Sequence, residues 1–145
     1  MTIFAWLRII YAAALLLTTV IGWRWGGRSE RWGVAIMVAA SLATVAVMGT
    51  PFFDWRSRLG PLVAVDVLAL LALLVLTLKT TKFWPIWATS FHLIAVGTHG
   101  AVHILPISLR QTYALLQGFW AYPMMVCIII GALSHRAKMV DKHRI

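Results

Sequence analysis

Three histidines, His92, His99 and His103, interrupt the apolar run FHLIAVGTHGAVH at residues 91–103. Imidazole can carry a proton or bind a metal, and lipid-facing sequence needs neither. At about 100° per residue, the step from His92 to His99 returns to nearly the same helical face, and the step on to His103 overshoots by about 40°. The three side chains therefore form one stripe. Asp66, in VAVDVLALLALLVL, is the one carboxylate expected inside an apolar run. Burying an uncompensated carboxylate in hydrocarbon costs several kcal/mol, so Asp66 requires a partner, a proton or water.

Several chemistries fit this set. His99 and His103 form an H-x-x-x-H pair, and with Asp66 they would make a His₂–carboxylate group suited to Zn²⁺ or Fe²⁺. The pair lacks the glutamate of H-E-x-x-H, and interhelical hydrogen bonding explains the same residues without a metal. His92 and His99 share a stripe, so they cannot clamp one haem from opposite sides; a haem would have to be shared between subunits. A quinone would need a histidine or carboxylate beside an apolar pocket, which Asp66, His99 and Trp120 can supply. The cofactor thus stays open between a divalent metal, haem, quinone or none. Nucleophilic catalysis has little support. Ser41, Thr44, Ser90 and Thr98 read as hydroxyls bonded to helix backbone or to neighbouring helices, and no glycine-rich phosphate cradle or nucleophile elbow is present.

The surrounding sequence says what must position these residues. Of 145 residues, 61% are apolar and 12% charged, against about 25% charged in a soluble domain, and the mean hydropathy is +0.86. Apolar runs near the roughly 20 residues that cross a bilayer imply an all-α, polytopic membrane bundle forming a single domain over 1–145. Five spans are expected, at about 3–23, 33–50, 60–78, 83–105 and 112–134. Pro61 and Pro85 then fall in first turns. Pro123 falls mid-span, where it would free the carbonyl of Phe119 and kink the fifth helix. The small pairs Gly97/Ala101 and Ala39/Ala43 read as packing surfaces. Cys127, the single cysteine, reads as a packed apolar side chain.

The net charge of +9 gathers at the ends of the apolar runs. Nucleic acid would need a soluble basic face that this chain lacks. Of the 13 Lys and Arg, Arg8, Arg56, Arg58 and Arg110 fall on one side and all the rest on the other. The majority side belongs in the cytoplasm, placing the N-terminus outside and the C-terminus inside a bacterial-type inner (plasma) membrane. Trp23, Trp25, Trp32, Trp84 and Trp87 would form an inner aromatic belt, and Trp6, Trp55 and Tyr113 an outer one. The N-terminal apolar stretch lacks a small-residue cleavage pattern and reads as a retained span. The tail SHRAKMVDKHRI reads as a solvated stop signal, with attraction to anionic lipid as a weaker alternative.

Depth then groups the polar residues. At about 1.5 Å per residue, Asp66 and His99 each lie roughly 9 Å below the outer surface, His103 roughly 3 Å, and His92 near mid-membrane. Arg8 on the first span reaches roughly 8 Å and Gln117 on the fifth roughly 8–10 Å. The four-residue KTTK connection makes the third and fourth helices neighbours. Asp66 is expected to pair with His99, Arg8 or Gln117, with Arg8, His92 and Gln117 as the supporting polar groups.

The reading that emerges is a small membrane subunit or binding protein, non-enzymatic rather than enzymatic, with an Asp/His layer in the outer half of the bilayer. Its partners would be the bilayer and either further copies of itself or a larger membrane complex. The rivals are a proton- or metal-cation-coupled transport component and a membrane redox subunit.

Overall fold

The computed structural model describes residues 3–49, 55–102 and 118–142, and all five of its long elements are helices. They are α1 (Ile3–Trp25), α2 (Arg28–Gly49), α3 (Trp55–Lys79), α4 (Trp84–Val102) and α5 (Ala121–Lys142). Four of them are long and apolar enough to cross a membrane, over Ala5–Trp25, Arg28–Gly49, Leu59–Lys79 and Ala121–Lys142. Over its described residues α4 is the exception, and it carries the polar side chains Thr89, Ser90, His92, Thr98 and His99.

The helices close a ring in chain order, α5 returning against α1, and α2 also touches α5 across the middle. Contacts fix the directions. Tyr11 meets Tyr122 near the start of α5, and Trp25 meets Arg136 near its end, so α1 and α5 run parallel. Trp84 lies against Gly131, and Phe91 stacks on Trp120, so α4 runs opposite to α5. The bundle therefore alternates in direction, with the start of α1 and the end of α5 at opposite ends. Its core includes Leu73, Ala88, Met124, Met125 and Ile128, gathered from α3, α4 and α5. Lipid is as apolar as these side chains, so van der Waals fit and polar bonds, rather than the hydrophobic effect, hold such helices together.

Several boundaries differ from the sequence expectation. The second helix begins at Arg28 rather than about 33, because Gly27 serves as its N-cap: the amide of Arg31 donates to the Gly27 carbonyl at 3.2 Å. The third begins at Trp55, which puts Pro61 inside the helix, where it cannot donate to the carbonyl of Ser57. At the fifth span Gly118 and Phe119 are also helical, and the expected start near 112 lies outside the described residues. A turn at Trp120 precedes Ala121–Lys142, Pro123 falls in the first turn of α5, and the helix continues through the basic tail to Lys142. The Phe119 carbonyl, which Pro123 cannot bond, lies beside that turn.

Close helix approach also occurs elsewhere than expected. Gly97 and Ala39 are exposed. A Cβ on Gly22 would lie 2.5 Å from Val34, and one on Gly33 would lie 2.5 Å from the Trp84 ring. Trp84 is therefore no interfacial anchor. Its indole, 6% exposed, is wedged between Gly33 of α2 and Gly131 of α5.

Candidate functional site

The α3–α4 interface carries the first polar level. Trp84, Ala88, His92, Ala95 and His99 are all buried, which makes them one face of α4 at helical spacing. His99 is 7% exposed, and its Nε2 lies 2.5 Å from Oδ2 of Asp66 on α3, whose side chain is 24% exposed. That separation makes the imidazole and the carboxyl group direct hydrogen-bond partners. His92 reaches the same residue from one side: its Nε2 is 3.0 Å from the Asp66 backbone carbonyl. A carbonyl can only accept, so His92 carries a proton on Nε2.

Helices α1, α2 and α5 surround this seam with hydroxyls. The Tyr11 and Ser41 oxygens are 2.7 Å apart. The Tyr11 ring meets Tyr122 edge-on at 6.2 Å between centroids, and Asp66 lies within electrostatic reach of the Tyr11 hydroxyl. Each of the five helices thus contributes a polar side chain to the interior. Further along the seam, the hydroxyls of Thr77 on α3 and Thr89 on α4 pair at 2.9 Å.

Among the residues singled out from sequence, the structure brings Asp66, His92 and His99 together. Arg8 is exposed on α1, a helix whose main packing is against α5 and α2. His103 and Gln117 lie outside the described residues. Among the described residues, no three His, Cys, Asp or Glu side chains are grouped to hold a metal ion. Both histidine Nε2 atoms bond to Asp66, so a metal or haem iron would reach those atoms only by displacing these bonds.

A second polar level, at the opposite end of the bundle, has no counterpart in the sequence expectation. Glu30 is fully buried, and its carboxylate accepts hydrogen bonds from several donors. Lys82 Nζ reaches Oε1 at 2.8 Å and Oε2 at 2.6 Å, and Trp84 Nε1 donates to Oε1 at 2.7 Å. The Gly27 amide and the Ser29 hydroxyl donate to Oε2 at 2.9 and 3.1 Å. The Gly27 bond is the backward half of a capping box, with the N-cap at Gly27 and the acid three residues on. The turn before α4 supplies the cation. Thr80 Oγ1 accepts the Lys82 amide at 3.3 Å, which shapes the KTTK connection that presents Lys82 to α2. The His135 ring of α5 lies over Gly27, 3.1 Å from where a Cβ would stand there.

The signal for Glu30 was its spacing from Gly27, a helix N-terminus pattern hidden between arginines in RWGGRSERW. Comparison with known protein families, with curated proteins and with solved structures finds no match for this chain.

Proposed function

We propose that the protein is a small multi-pass protein of a bacterial-type inner membrane, N-terminus outside and C-terminus inside, with α4 also crossing the bilayer. It acts without catalysis, as a subunit or binding protein of a larger membrane assembly. The Asp66–His99 pair is the point at which it holds a proton and meets a ligand or partner. The observation that carries this reading is the 2.5 Å bond between a buried imidazole and a carboxylate left about a quarter exposed. Apolar residues could pack these two helices, whereas burying ionisable groups costs several kcal/mol and marks functional positions in membrane helices. The test is purification from native membranes in mild detergent. A stoichiometric companion or ligand that is lost in Asp66→Asn, with the variant still folded, supports the reading. A wild-type protein that is solitary and ligand-free would refute it.

A second reading, a proton-coupled transport component, draws on His92 and on the Thr77–Thr89 pair further along the same seam. Its test is a pH-sensitive dye inside proteoliposomes. Proton flux in wild type that is lost in Asp66→Asn supports it, and the absence of flux refutes it.

A further inference from the structure

The end of the bundle that holds Glu30 also carries an organised basic rim. Arg24 on α1, Arg28 and Arg31 on α2, and Arg136, Lys138 and Lys142 on α5 are all exposed. Of the described acids at this end, Glu30 is buried and paired with Lys82, which leaves Asp141 as the exposed carboxylate set against that group. Two of the arginines are held in place by indoles: the Arg136 guanidinium lies 4.5 Å from the Trp25 ring centroid, and that of Arg31 lies 5.9 Å from Trp23. Stacking on tryptophan fixes the guanidinium plane while leaving its N–H groups for an acceptor such as phosphate.

Exposed tryptophans such as Trp23 and Trp32 favour the headgroup boundary, and Trp25, two residues beyond Trp23, carries that level across to Arg136 of α5. The helix does not stop there but continues to Lys142. At about 1.5 Å per residue, Lys138 stands roughly 3 Å and Lys142 roughly 9 Å beyond Arg136, across a headgroup layer about 5–8 Å deep. Met139 and Val140, 46% and 50% exposed, lie on the same helical extension. Charged side chains interleaved with apolar ones at this depth suit a lipid interface better than bulk water.

We propose that this rim binds the phosphate headgroups of anionic phospholipids. Arg31 and Arg136 are the fixed forks, and Lys138 and Lys142 are flexible point charges reaching the outer part of the same layer. The inference is independent of any role for Asp66 and holds for whichever leaflet faces this end.

The experiment is native mass spectrometry of the full-length protein released from nanodiscs of mixed phosphatidylglycerol and phosphatidylcholine, comparing wild type, Arg136→Gln/Lys138→Gln, Arg31→Gln/Lys142→Gln and, as a control at the other end, Arg8→Gln. Each basic residue near an anionic surface favours anionic lipid about fivefold, so either double variant should lower the retained anionic-to-zwitterionic ratio by about 25-fold, and added salt should lower it in wild type. Arg8→Gln should leave it unchanged. Displacement of bound lipid by soluble glycerol phosphate, without a bilayer requirement, would show a free-phosphate site and overturn the lipid assignment. Equal retention of the two lipids by wild type, or an unchanged ratio in both double variants, would also overturn it.

Discussion

Asp66 and His99 stand thirty-three residues apart in sequence, yet Oδ2 of one lies 2.5 Å from Nε2 of the other across the α3–α4 interface. Two single substitutions and their double should show coupling. Asp66→Asn and His99→Gln are each expected to destabilise the bundle, with a coupling energy of about 1–2 kcal/mol, the upper part of the range for hydrogen bonds between membrane helices. Unfolding in detergent measures it, and strictly additive losses would remove the pair from the account.

The Glu30–Lys82 pair should respond asymmetrically. Lys82 is 34% exposed and can turn toward water when its partner is removed, whereas Glu30 is fully buried and cannot. Lys82→Ala should therefore cost about 3–5 kcal/mol, the range for stranding a buried charge, and Glu30→Gln clearly less. Thermal unfolding of the two variants side by side checks the order. Equal losses would mean that the lysine stem, not the charge, holds the contact.

Trp84 should make glycine obligatory on both of its flanks. A Cβ on Gly33 would stand 2.5 Å from the ring, and one on Gly131 would meet the other side of it. A rigid indole pinned by its Glu30 bond cannot retreat from either. Gly33→Ala and Gly131→Ala should each cost about 1–3 kcal/mol, while Gly97→Ala, into open space on an exposed helical face, should be neutral or mildly stabilising. Melting temperatures would separate the two classes.

The proposed sidedness rests on the charge asymmetry and is tested by labelling in a Cys127→Ala background. Arg28→Cys should react from the cytoplasm and Ser57→Cys from the periplasm. The opposite pattern would invert the orientation and leave the internal contacts untouched.

How much of this was legible in the sequence depended on the range of the signal. Apolar run length revealed the helices, and a step of seven residues placed His92 and His99 on one face, because both are local, periodic properties. The short KTTK turn made α3 and α4 neighbours, so depth counting could set Asp66 level with His99. Depth cannot choose among helices, however, and it left Arg8 beside His99 as a partner for Asp66; the structure bonds Asp66 to His99 and leaves Arg8 exposed. Glu30 escaped because polar flanks make a helix start look like a loop. The role of Trp84 escaped for a related reason: a tryptophan near a helix end ordinarily anchors in headgroups, and only the facing glycines from two distant helices create a slot for it.

The Asp66–His99 bond can be read by ¹⁵N NMR of histidine-labelled protein in bilayers, followed across pH in wild type and in Asp66→Asn. His99 Nε2 should show a strongly hydrogen-bonded resonance that disappears in Asp66→Asn, and His92 should remain protonated on Nε2 in both proteins because its acceptor is a backbone carbonyl. A His99 spectrum indifferent to Asp66→Asn would contradict a hydrogen bond between the two side chains.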